Sequence, residues 1–148
     1  MSYPPLLKLA TAAEYRLHYE NIYCRAPIVT FDGIAVRFRT RDFNHCFFES
    51  SRRDSTKDLF SAMRAERMDW ITAALKDPNA ELYCGWDKKR RRYDRSRRVA
   101  VVMGDYVVII ALTSPTTATF VTAFAADTPA CAGRPSTIDQ IRKGPKWT

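Results

Sequence analysis

Two histidines, His18 and His45, are the side chains best suited to move protons near neutral pH in this chain of 148 residues. His18 falls in a stretch with helical spacing, where a surface or core histidine is the ordinary reading. His45 sits in Phe43-Asn-His-Cys-Phe-Phe48, among bulky apolar residues and just upstream of Ser50-Ser-Arg-Arg-Asp-Ser-Thr-Lys57. It is either a structural histidine or a proton-transfer group. Metal-free RNA cleavage is a chemistry that these residue types suit. The substrate brings its own nucleophile, the 2′-hydroxyl. The protein must accept that proton, protonate the leaving 5′-oxygen and stabilise charge on the phosphorane, a task for arginine, lysine and hydroxyl donors. His45, Arg64, Arg67 and Thr122 are groups of the right kinds. Carboxylates are scattered and none recurs at ligand spacing, so two-metal chemistry is not expected. Cys24, Cys46, Cys84 and Cys131 are far apart with no C-x-x-C pair, which gives no hint of a zinc site and predicts reduced thiols, with a secreted, disulfide-bridged form as the alternative that an even count leaves open. No metal or cofactor is expected, and no P-loop, G-x-G-x-x-G or G-x-S-x-G occurs.

Charge is concentrated in one place. Eight of the eleven residues from Lys88 to Arg98 are basic: Lys88, Lys89, Arg90, Arg91, Arg92, Arg95, Arg97 and Arg98. Asp94 is the one acid among them, so the segment carries +7 of the chain's +8. A local cationic segment is an electrostatic footprint for a polyanion, most often nucleic acid. Trp86 and Tyr93 stand within reach for stacking on unpaired bases. The plainer reading of the run is a solvated loop.

The elements that must position these residues follow from local pattern. A length of 148 residues, 46% of them apolar and 12% aromatic, predicts one folded domain over 1–148 with one core. The longest apolar stretch, Val99 to Leu112, is interrupted by Gly104, Asp105 and Tyr106, so no membrane span is expected. The N-terminus does not read as a signal peptide, and a cytoplasmic site of action is expected. Thr11 to Tyr23 predicts a helix, with Thr11 and Glu14 forming a capping box. Ile28–Phe31 and Ile34–Phe38 flank Asp32-Gly33, a hairpin signal. Phe43 to Phe48 reads as a strand or an extended loop. A long helix is expected from Ser55 or Thr56 to Leu75. Its apolar stripe of Phe60, Met63, Trp70, Ile71, Ala74 and Leu75 carries Arg67 near the centre and Arg64 to one side. Arg64 either snorkels to water or faces a cleft; Arg67 needs a cleft or a specific partner.

Four strands follow: Ala80–Trp86, Arg98–Met103, Tyr106–Thr113 and Thr117–Phe124. The cationic run lies in the loop or the extended strand ends between the first two. A short helix is expected from near Ser136. The fold class is α+β: an antiparallel sheet, made of a late four-stranded meander plus an early hairpin, with helices packed on one face. Period two on the last strand places Phe120, Thr122 and Phe124 on one side and Thr119, the lesser candidate, on the other. Thr122 reads equally as an ordinary strand threonine.

Four segments together resemble the phage-type branch of the BECR superfamily, the barnase–EndoU–colicin–RelE-like nucleases. They are Phe43-Asn-His45 before the long helix, Arg64-Ala-Glu-Arg67-Met-Asp-Trp-Ile71 ending at Lys76-Asp-Pro78, the strand Thr119-Phe-Val-Thr122-Ala-Phe124, and the tail Ile138-Asp-Gln-Ile-Arg-Lys-Gly-Pro-Lys-Trp147. The resemblance covers roughly Ile34 to Trp147. It implies a metal-independent endoribonuclease acting as a toxin or effector domain, with His45, Arg67, Arg64 and Thr122 matching the family's site positions and Lys143 a further phosphate contact. A nuclease of this kind implies RNA as its substrate and a cognate antitoxin or immunity protein, acidic enough to cover the cationic run. The alternative is a non-catalytic basic module that binds nucleic acid.

Overall fold

A computed structural model of the protein describes residues 4–49, 59–87 and 92–125, with the backbone alone for 49, 84–87 and 92–98. The expected short helix from Ser136 and Lys143 lie outside the described residues, as do Lys88, Lys89, Arg90 and Arg91. The fold is α+β. A six-stranded open sheet has the order β1-β2-β8-β7-β6-β5. Its strands are β1 (Ile28–Val29), β2 (Ala35–Arg37), β5 (Glu81–Asp87), β6 (Arg92–Met103), β7 (Tyr106–Ser114) and β8 (Thr117–Ala125). The helices are α1 (Ala12–Ile22), α2 (Asp42–Phe47), α3 (Ala62–Ala65) and α4 (Trp70–Lys76), and β3 (Phe48–Glu49) with β4 (Leu59–Phe60) forms a separate two-stranded ladder.

Elements with strong local signals form as the sequence predicts. The Thr11 hydroxyl accepts from the Glu14 amide, and the Glu14 carboxylate accepts from the Thr11 amide. Gly33 and Gly104 sit at φ +90° and +64°, in the turns before β2 and before β7; that region of backbone space strains any residue with a Cβ. The meander β5-β6-β7-β8 is antiparallel throughout.

The early hairpin joins this meander through a parallel pair, β2 with β8, rather than an antiparallel one. The chain leaves β2 and returns only after α2, α3 and α4, and a long crossover of that kind permits parallel pairing. Helices cover one face. Tyr15, Tyr19, Phe43, Phe47, Ile71 and Leu75 bury themselves against Val99, Val101, Val108, Ile110 and Phe120. Tyr83, Ala100, Val102 and Val107 form a smaller cluster made of strand residues alone. Among the described residues no helix is long and apolar enough to cross a membrane.

Two expectations are overturned. Phe43 to Phe47 is helix, not strand or loop: Phe43, Cys46 and Phe47 recur at helical spacing, and all three are buried as one face of α2. The long helix expected up to Leu75 is instead β4, α3, a turn and α4, with Ser55 and Thr56 outside the described residues. Phe60 pairs with Phe48 across the β3–β4 ladder and packs its ring near Tyr15, Phe43 and Phe48. Ser61 then caps α3 by accepting from the Arg64 amide. The amides of Arg67, Met68, Trp70 and Ile71 make i→i−3 bonds. There, hydroxyls from other elements take the carbonyls: Tyr23 donates to Met68 at 2.8 Å and Tyr106 to Arg67 at 3.3 Å.

Candidate functional site

The short helix α2 is the base of the site. Its first-turn acid, Asp42, is buried and accepts from Arg39 Nε and Nη2 at 3.0 and 3.1 Å. Phe43, Cys46 and Phe47 face the core, and this rotation turns Asn44 and His45 outward to solvent. The apolar neighbours that make His45 look enclosed in sequence point away from it in space. The imidazole stands in the last turn of α2.

Three elements converge at Cys46, the residue after His45. Arg64, half-buried on α3, donates from Nη1 to the Cys46 carbonyl at 3.3 Å. That carbonyl belongs to the last turn of α2, where no helical partner is available. The Cys46 thiol is fully buried and donates to the Ala123 carbonyl at 3.5 Å, and the Thr122 hydroxyl meets the same sulfur. Burial pushes this thiol up to about 11, so it stays protonated and is no nucleophile at neutral pH. Among the described cysteines, Cys24 and Cys46 are free thiols.

β8 is bulged beside Thr122. Ile109 pairs with Thr122 but Ile110 pairs with Phe120, so Val121 is an extra residue. The parity of the strand changes there. Phe120 and Ala123 belong to the helix-side core and Phe124 packs against the other cluster, which corrects the expected shared face of Phe120, Thr122 and Phe124. Thr119 lies between the core residues Ala118 and Phe120 and so faces away from the helices; its register partners are Arg37 and Ala111. It is not part of the group around Cys46.

Arg67 has found a specific partner rather than an open cleft. Its Nη1 donates to the Met63 carbonyl at 2.7 Å and to Glu66 Oε1 at 3.1 Å, and its Cζ lies 5.2 Å from the Trp70 ring centroid. A hydrogen bond from Lys8 holds the Glu66 carboxyl below the usual carboxylate range, and Arg67 adds to that. Trp70 in turn donates to the Pro4 carbonyl at 2.8 Å. Arg67 thus helps to seat the N-terminal segment. Behind both arginines lies the Tyr106 hydroxyl, which burial raises well above the ordinary phenol value and the charges of Arg67 and Arg64 pull back.

Two contributors, Arg16 and Asn44, carry no signal in the sequence. Arg16 of α1 donates from Nη2 to Asn44 Oδ1, and its Cζ sits 4.5 Å from the Phe43 ring centroid. Both contacts cross 27 or 28 residues of chain, so no local spacing announces them.

The described part of the cationic run, Arg92 to Arg98, belongs to β6. Gly85 pairs with Asp94, Trp86 with Tyr93 and Asp87 with Arg92. Cys84 already pairs with Val99, so Arg95 to Arg98 are four extra residues on β6 relative to β5. Pairing of β6 with β7 begins only at Arg98. Arg92, Arg95 and Arg97 therefore lie where β5 and β6 run on as a two-stranded ribbon past the paired edge of β7. Among the described residues, no group of three or more His, Cys, Asp or Glu side chains is placed to hold a metal ion. Comparison of the chain with protein-family models, with curated proteins and with solved structures finds no match in any of the three.

Proposed function

We propose that this protein is a metal-independent endoribonuclease that acts as a toxin or effector. The observation that carries this reading is the meeting of α2, α3 and β8 at Cys46: Arg64 donates to its carbonyl, Thr122 meets its thiol, and the exposed His45 is the residue before it in the chain. Attack of the 2′-hydroxyl on the adjacent phosphate needs a proton acceptor, and His45 is the group for that transfer. Arg64 contributes positive charge where the phosphorane gains negative charge, and Thr122 offers a hydroxyl at the same corner. The P–O5′ bond then breaks, the 5′-oxygen leaves as a hydroxyl by taking up a proton, and a 2′,3′-cyclic phosphate remains. The basic ribbon holds the RNA backbone. The proposed setting is cytoplasmic, with an acidic antitoxin or immunity protein covering the ribbon.

A second reading has its own support. A cationic two-stranded ribbon at the sheet edge suits a non-catalytic nucleic-acid-binding module, which needs no working His45. Incubation with bulk RNA in EDTA separates the two. Fragments ending in 2′,3′-cyclic phosphate support cleavage; intact RNA with salt-sensitive binding supports the module and overturns the nuclease.

A further inference from the structure

We propose that Arg16 is the positioning residue for His45, acting through Phe43 and Asn44; the consequence for catalysis rests on the reading of His45 as the proton-transfer group. The helix α2 has six residues, and its N-cap residue Arg41 makes no side-chain capping bond. A helix this short does not hold itself in place. Its inner face is anchored by Phe43, Cys46 and Phe47, but the outer face that carries Asn44 and His45 needs a tether of its own. Arg16 reaches across from α1 to supply it. One edge of the guanidinium donates to Asn44 Oδ1, and its plane lies over Phe43 with Cζ 4.5 Å from the ring centroid.

The two contacts fall on the two residues immediately before His45, so they fix both the tilt and the rotation of the turn that presents the imidazole. A planar fork that stacks and donates at once is an arginine property, which a lysine ammonium does not reproduce. The platform beneath Arg16 is firm. Its neighbours Tyr15 and Tyr19 are buried, and their hydroxyls donate to the Leu7 and Arg39 carbonyls, each at 2.7 Å. On the far side of His45 the Cys46 carbonyl is held by Arg64 at 3.3 Å. The imidazole is thus flanked along the chain by two residues, each fixed by a guanidinium from a different helix.

The test compares Arg16→Ala, Arg16→Lys, Asn44→Ala and the double variant Arg16→Ala/Asn44→Ala with wild type. The side-chain resonances of the two histidines are followed by NMR, alongside cleavage of bulk RNA. Arg16→Ala and Asn44→Ala are each expected to move the His45 imidazole signals while those of His18 stay in place. Both should lower kcat by about tenfold or more at unchanged KM, the pattern of a misaimed group, and should shift the pH profile. Arg16→Lys should restore little, and the double variant should be no worse than the worse single. Unmoved His45 signals in Arg16→Ala, or strictly additive losses, overturn the proposal. If Arg16→Ala fails to fold, Asn44→Ala, a change at an exposed side chain, decides by the same signals. A wild-type protein that cuts no RNA while its His45 signals move in both variants removes the nuclease reading and leaves the positioning role standing.

Discussion

The Arg64 guanidinium donates to the Cys46 carbonyl at 3.3 Å across eighteen residues of chain, tying α3 to the last turn of the helix that carries His45. The cation thereby holds the end of α2. Arg64→Ala is expected to lower RNA cleavage by about a hundredfold, the scale of losing one preorganised charge partner, and to cost about 1 kcal/mol of stability for the missing hydrogen bond. Urea denaturation and cleavage rates measured on the same preparation check both. Full activity at wild-type stability would remove Arg64 from the site.

His45 is exposed and buries little on folding. His45→Ala should therefore leave the melting temperature unchanged while reducing cleavage by about two to four orders of magnitude, the usual worth of a general acid or base. Toxicity on induced expression should disappear in the same variant. An undiminished rate in the purified variant would end its catalytic assignment.

Arg67 tells a different story because its Nη1 is engaged with Met63 and Glu66 and its Cζ lies against the Trp70 ring. Arg67→Ala should lose about 1–2 kcal/mol of stability from the hydrogen bonds and the ring contact together. Its cleavage rate, corrected for folded fraction, should stay within about tenfold of wild type. A loss equal to that of His45→Ala at unchanged melting temperature would return Arg67 to the phosphate.

Alkaline pH should weaken the fold in a way traceable to Cys46. An unfolded cysteine ionises near about 8.5, whereas burial pushes the folded thiol up to about 11. Between those values the unfolded chain holds fewer protons than the native one. Stability is therefore complete below the lower value and falls as pH rises towards the higher, by up to about 1.4 kcal/mol per pH unit for this group. Tyr19, Tyr23 and Tyr106, all raised by burial, add to the fall above about pH 10. Denaturant midpoints between pH 8 and 10 should fall, and Cys46→Ala should flatten that dependence. An equal slope in the variant would contradict the assignment.

Neutralising part of the cationic run separates binding from chemistry. Replacing Lys89, Arg90, Arg91 and Arg92 with glutamine should weaken RNA binding and reduce the slope of log affinity against log salt. The reduction should be about 0.7 for each single-strand phosphate that is no longer neutralised. The melting temperature should hold, because β5 is anchored to β6 through Glu81 to Cys84 against Val99 to Val102. Unchanged affinity across a salt titration would make the run a solvated feature.

Much of this architecture was legible in the residue order because it depends on contacts between near neighbours. The Thr11–Glu14 capping box, the turns at Gly33 and Gly104 and the strand segments β5 to β8 each draw on a few adjacent residues. The charge of the β5–β6 segment is likewise a property of composition. Tertiary structure alone decided the rest. The stretch from Phe60 to Leu75 carries a helical stripe, yet hydroxyls of Tyr23 and Tyr106 claim its carbonyls at 67 and 68, where the chain turns. The Val121 bulge reverses the faces of β8, and a long crossover lays β2 parallel to it. The placing of Thr122 against Cys46, and of Arg16 over Phe43, likewise depends on partners tens of residues away. Local propensity is blind to such partners, because the free energy that selects them arises only when the core closes.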